Sequence, residues 1–101
     1  MINVKTPDDL DRLSAEYDDL LLIFTQPSWC IPCQRLAPHL EAAEDKTDIP
    51  FVVIDEETDP DIAAAWSVMG VPTMILWHVG RGGFKTVQSR TSIKILKELA
   101  S

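Results

Sequence analysis

Short, continuous apolar runs alternate along the chain with segments in which apolar residues return every three to four positions. Ile2–Val4 is a brief apolar start and reads as an edge strand. Thr6-Pro7-Asp8-Asp9 then has the makings of a helix opening, with a capping hydroxyl, a proline at the first helical position and acids in the first turn. Leu10, Leu13 and Tyr17 follow on one face at helical spacing. Residues 20–25 are apolar throughout and include β-branched Ile23 and Thr25, the pattern of a strand buried on both faces. A helix over about residues 29–46 comes next, with Cys33, Leu36, Ala37, Leu40 and Ala43 on its inner face. Phe51–Asp55 is a second buried strand. Asp59-Pro60-Asp61 opens a further helix that Gly70 is expected to end. Residues 73–77 (TMILW) and 84–88 (FKTVQ) predict an antiparallel hairpin around the glycine-rich GRGG turn. Ser92 caps a last helix with Ile93, Leu96, Leu99 and Ala100 facing inward. The order β-α-β-α-β-α-β-β-α predicts an α/β fold with a mixed central β-sheet flanked by helices on both faces.

A chain of 101 residues, 46% hydrophobic and 25% charged, is expected to form one soluble globular domain over residues 1–101. The start, MINVKTPDDLDR, has neither the basic flank nor the apolar stretch of a secretory signal. The most apolar run, LLLIF at 20–24, is far too short to span a membrane. A cytoplasmic protein of a reducing compartment is the expectation. The net charge of −7 argues against nucleic acid as a partner, since phosphates need a basic surface. Residues 1–61 carry fifteen Asp/Glu against four Lys/Arg, whereas residues 62–101 carry one against five. An acidic, solvated surface is the simpler reading, and an oriented field that steers a partner is the other. The acidic run DEETDPD (55–61) does not fit a calcium loop, because its sixth position is Pro60 and the twelfth is Trp66.

The only two cysteines, Cys30 and Cys33, are spaced C-x-x-C. Cys30 falls at the predicted start of a helix, where unpaired backbone N–H groups and the helix dipole favour negative charge. That favours thiolate, the species that attacks disulfides. Cys33 lies about one turn further on, within reach to resolve a mixed disulfide. Pro32, in the first turn, sacrifices no hydrogen bond and stiffens the loop. A structural disulfide fits a reducing compartment poorly, and a two-residue loop constrains an unfolded chain little. Zinc would need two further ligands, and only His39 and His78 exist. Six residues separate His39 from Cys33, and His78 is on a distant strand, so both read as surface or boundary histidines. A redox pair fits best, with a metal site and an inert pair as the alternatives.

The stretch Trp29–Cys33, WCIPC, resembles the W-C-G-P-C of the thioredoxin family, with Ile31 in place of glycine. Pro38 stands five residues past Cys33, in the position of the proline that kinks that family's second helix. Gly70-Val71-Pro72-Thr73 resembles the family's G-[IV]-P-T, whose proline follows a cis peptide bond beside the cysteines. The two motifs lie roughly forty residues apart, and the resemblance covers essentially the whole chain. It implies a thioredoxin fold and thiol–disulfide exchange, with Cys30 attacking and Cys33 resolving. It also implies a substrate-binding surface of Trp29, Ile31, Pro32, Val71 and Pro72, with the Val71 backbone pairing to an extended substrate segment. No cofactor beyond the redox-active disulfide is implied. The implied partners are disulfide-containing proteins and a thioredoxin-reductase-like or small-thiol electron source, acting on a monomer.

Three departures from the family pattern bear on function. The family's buried aspartate, usually in a D-F-W-A stretch, has no counterpart in LLIFTQPSW, where Ile23 or Phe24 takes its place. Its partner lysine is also absent, with Phe51 near its position. Loss of a general base could slow the step it serves by up to ~10²–10⁴. Second, Ile31 adds apolar contact beside the attacking sulfur. With no histidine between the cysteines, a reductant-like potential is expected. Third, VQSRTS (87–92) departs from the family's Val-Gly-Ala type of stretch, and Arg90 there is expected either to select acidic substrates or to be a solvated loop charge. The expected function is reduction of protein disulfides. The alternatives are a dedicated electron donor to one reductase, and a non-redox binding module on the same fold.

Overall fold

The computed structural model describes residues 1–55, 57, 60–81 and 83–88. In chain order these form β1 (Ile2–Val4), α1 (Pro7–Glu16), β2 (Asp19–Thr25), α2 (Ile31–Glu44), β3 (Phe51–Asp55), α3 (Pro60–Ala65), β4 (Thr73–His78) and β5 (Gly83–Gln88), with a short 3₁₀ turn at Val79–Arg81. The strands make one sheet in the order β1-β3-β2-β4-β5. β2 pairs with β3 in parallel and with β4 antiparallel, and β4 and β5 form the expected hairpin. The helix expected from Ser92 onward, and Arg90, lie outside the described residues.

β2 is central, and its apolar run is explained by what lies on its two faces. Leu20, Leu22 and Phe24 pack into a core with Leu10 of α1 and Ile62 and Ala63 of α3. Leu21 and Ile23 point the other way, into a second core with Leu36, Leu40 and Ala43 of α2 and Met74 of β4. All five of these β2 side chains are fully buried. A strand with helices on both sides has no solvent face, so the alternation of apolar and polar residues disappears. The mixed sheet covered on both faces is therefore the one the sequence pattern predicts.

Local signals fix the ends of the helices. Thr6 caps α1 through a reciprocal box: its hydroxyl accepts the Asp9 N–H, and the Asp9 carboxylate accepts the Thr6 N–H at 3.2 Å. Tyr17, expected on one helix face with Leu10 and Leu13, is instead the C-cap residue and is exposed. α2 starts two residues later than expected, because Cys30 is its N-cap. Ala37 is exposed rather than inward-facing, and the buried stripe of α2 is the narrower set Cys33, Leu36, Leu40 and Ala43. α3 ends at Ala65, five residues short of Gly70. Ser67 takes the left-handed conformation there (φ 57°). The Ser67 N–H donates to the Ala64 carbonyl and the Val68 N–H to the Ala63 carbonyl, a complete Schellman cap. Gly70 is not the terminator, since it stays outside the left-handed region and a Cβ there would meet nothing within 4 Å.

Candidate functional site

β2 ends at Thr25, and a turn over residues 26–29 lifts the chain onto α2. The Cys30 N–H donates to the Gln26 carbonyl at 3.0 Å, closing that turn. The next turn is closed by the Gln34 N–H, which donates to the Cys30 carbonyl at 3.1 Å. Gln34 braces the loop from its side chain as well, with Nε2 donating to the Pro27 carbonyl at 2.7 Å. Cys30 thus sits at the N-cap with extended dihedrals (φ −85°, ψ 104°), where serine, threonine or aspartate more often places an oxygen.

Its sulfur does the work of that oxygen. Cys30 Sγ accepts the Cys33 N–H at 3.2 Å. An anion at this position meets an aligned N–H donor and the positive end of α2, so the Cys30 thiolate is stabilised once the pair is reduced. Cys30 and Cys33 are joined as a disulfide with their Cα atoms 5.2 Å apart. Pro32 occupies the first turn of α2, where its missing N–H leaves no bond unmade.

The second wall of the site comes from the far side of β2. Because β4 runs antiparallel to β2, its beginning lies beside the end of β2, with Thr73 opposite Phe24. The residues just before β4 are therefore brought to the cysteines. The Val71 carbonyl lies 3.8 Å from Cys30 Sγ, and the Val71–Pro72 peptide bond is cis. The Thr73 hydroxyl donates to the Gly70 carbonyl at 2.7 Å and holds this loop together.

Of the residues singled out in the sequence, Cys30, Cys33, Val71 and Pro72 are brought together. Cys30 and Cys33 are 3% and 4% exposed, so both lie below the rim of the site. Trp29 and Ile31 stand out on either side of Cys30 at 62% and 57% exposed. Ile23 and Phe24 are both fully buried, so neither position carries an ionisable group. His39 is exposed on α2, and His78 Nδ1 lies 2.7 Å from the Asp19 carboxylate at the opposite end of β2. Neither histidine approaches the cysteines through any bond described.

Two residues of this region escaped the reading of the sequence. Met69 is 98% exposed, two positions before Val71, and an apolar residue in a turn just ahead of a Gly-Val-Pro stretch was the signal for it. Gln26 is 1% exposed with no hydrogen-bond partner for Nε2. Its signal was a polar residue at the end of an otherwise apolar run. A cleft of about 290 Å³ elsewhere is lined by β1 and α1 residues, among them Asn3, Asp9 and Arg12, and contains no residue of this site.

The Thioredoxin family profile matches residues 2–101. A thioredoxin of Mycobacterium bovis is 35% identical over 75 residues, covering 72% of this chain and 65% of that protein. The chain therefore spans just under two thirds of that relative's length in the match. A bifunctional thioredoxin reductase/thioredoxin of Mycobacterium leprae is 32% identical over 75 residues, covering 72% of this chain and 16% of that protein. Among solved structures, a mutant thioredoxin from Halobacterium salinarum superposes with a TM-score of 0.81 at 27% identity, covering 99% of this chain and 90% of that one.

Proposed function

Because the chain belongs to the thioredoxin family, we propose that it is a thiol–disulfide oxidoreductase that reduces protein disulfides through Cys30 and Cys33. The observation that carries this reading is the setting of Cys30 Sγ. It is bonded to Cys33 Sγ, accepts the Cys33 N–H at 3.2 Å and faces the Val71 carbonyl. A cysteine kept only for packing needs none of these arrangements.

The cycle starts from the dithiol. The Cys30 thiolate attacks one sulfur of a substrate disulfide, forming a mixed disulfide and expelling the other substrate sulfur as a thiolate. Cys33 then loses its proton and attacks Cys30 Sγ. That step closes the Cys30–Cys33 disulfide and releases the second substrate thiol, which takes up a proton. Two electrons pass from the dithiol to the substrate. The disulfide form is the product of this half-cycle, and an external reductant must restore the dithiol.

Trp29, Ile31, Pro32, Val71 and Pro72 form the substrate surface in this reading, and Met69 extends it. An extended substrate segment pairs with the Val71 backbone in the manner of an added strand. Arg90, outside the described residues, is the remaining candidate for selecting acidic substrates. The chain acts as a single domain and a monomer, with no cofactor beyond its own disulfide. Its electrons come from a thioredoxin-reductase-like enzyme or a small thiol. The M. leprae relative, whose name joins the two activities in one chain, supports the first source. Among the described residues no helix is long and apolar enough to cross a membrane, and the proposed location is the cytoplasm. The comparisons favour this reading over a dedicated single-partner donor or a non-redox binding module.

Thiol-driven reduction of insulin tests it. Wild type should catalyse the reaction, Cys30→Ser should lose it, and Cys33→Ser should accumulate a mixed disulfide. Wild-type catalysis that survives in Cys30→Ser would sink the assignment of the nucleophile. A wild-type protein that cycles between dithiol and disulfide yet leaves insulin untouched would point to a single dedicated partner.

A further inference from the structure

Gln26 is the one described residue whose buried side chain holds a polar atom without a partner, its Nε2 group. The residue is only 1% exposed, so water does not meet that donor from bulk solvent. A buried amide left unpaired is costly, and native proteins leave few of them. Its location is equally specific. Gln26 ends the apolar run of β2, and its carbonyl holds the Cys30 N–H at 3.0 Å. The turn closed by that bond, and the next one closed by Gln34 on Cys30, stack residue 26 beneath residue 30 and residue 30 beneath 33 and 34. Gln26 is thus fixed at the base of the redox site.

The neighbouring positions offer it no acceptor with a charge. Ile23 and Phe24 are apolar and fully buried. The sulfurs of a closed disulfide are weak acceptors, whereas a thiolate is a strong one. The structure holds the disulfide form, the state in which that stronger acceptor does not exist.

We propose that Gln26 is a positioning residue for the resolving step, its Nε2 group donating a hydrogen bond to Cys33 Sγ as that thiol becomes a thiolate. The inference rests on the order of attack given above, Cys30 first and Cys33 second. In the step concerned, the Cys33 thiol gives up its proton to solvent or to the departing thiolate. Its sulfur attacks Cys30 Sγ, and the bond between Cys30 and the substrate sulfur breaks. Gln26 neither gains nor loses a proton. It stabilises the attacking anion at a place where the chain has no carboxylate to act as base. Where Cys33 is ionised, the same bond favours the reduced form over the disulfide at equilibrium, since only the thiolate satisfies the donor.

The test uses Gln26→Met, which keeps the length and removes the donor, with Gln26→Leu as a second apolar replacement. The reduced protein is mixed with 5,5′-dithiobis(2-nitrobenzoate), which releases one coloured thiolate on attack by Cys30 and a second on resolution by Cys33. In both variants the first release should be unchanged and the second about tenfold slower, the size expected for losing a hydrogen bond to a charged group. In alkaline buffer, where the thiols ionise, equilibrium with glutathione should move about tenfold toward the disulfide, which is about 30 mV for two electrons. The thermal midpoint of the oxidised variants should rise, because the unpaired amide is gone. An unchanged second release together with an unchanged glutathione equilibrium would overturn the proposal, whatever happens to stability. Slowing of the first release alone would also overturn it, assigning Gln26 to shaping the turn. A first release that persists in Cys30→Ser would instead overturn the order of attack, an outcome distinct from either.

Discussion

Thr6 and Asp9 show how one short-range pair sets both a boundary and a pH dependence. The Asp9 carboxylate is held below its ordinary value of 3.8, first by the hydrogen bond from the Lys5 N–H, with the Thr6 N–H and the Arg12 guanidinium acting the same way. Folding thus favours the ionised form. The stability that Asp9 contributes is complete above pH 3.8 and is lost as pH falls through the depressed folded value. Asp9→Asn should therefore lower the urea midpoint at about pH 7, by a difference that shrinks as pH falls below 3.8. A difference that persisted in acid would mean that the carboxylate acts through its shape and not its charge. This pair was legible in the sequence because every participant lies within four positions. Gln26 was not, because its importance rests on how completely the folded chain encloses it. No local pattern records that enclosure.

Elements whose signals were local came out at the expected places, and those that needed tertiary knowledge drifted. β3 matches its expected span, and the capping box fixed the start of α1. The sequence places the end of α3 at Gly70, since glycine is the usual residue for a left-handed cap. The chain instead turns at Ser67, where Trp66 can set its ring edge-on against Trp77 of β4, with centroids 4.9 Å apart. That aromatic pair, worth about 0.5–1.5 kcal/mol beyond its buried area, and the two cap hydrogen bonds together offset a cost of ~1–2 kcal/mol for a non-glycine residue in the left-handed region. Ser67→Gly should relieve that cost, raising stability by up to about 1 kcal/mol and the melting temperature by roughly 4–8 °C. Melting curves of the two proteins check this, and a lower midpoint would show that the serine side chain stabilises the turn. Ala37 drifted for a related reason. Helical spacing allows a wide apolar stripe, but only the sheet decides how much of α2 is covered, and it covers the narrower set around Leu36 and Leu40.

At the scale of the molecule, the dominant quantities are the net charge of −7 and the order of the strands. With so acidic a chain, reduction of a basic disulfide peptide should slow as salt rises from about 0.01 M to 0.15 M, and reduction of an acidic one should quicken. Stopped-flow rates on such a pair of peptides measure this. Equal salt dependence for both would show that the field at the cysteines is locally neutral despite the overall charge. The sequence also made the two halves of the site legible as motifs, one before α2 and one before β4. What unites them is the antiparallel pairing of β2 with β4, a fact of topology that sets Val71 against Cys30 across 41 positions of chain. That pairing has a consequence in time. A ribosome delivers both cysteines long before it delivers Val71, so a nascent chain carries its thiols while the carbonyl that will face them is still untranslated. The cysteines emerge first and the Val71–Pro72 wall of their site later, and competence in the proposed reaction is expected only once β4 has been made and zipped onto β2.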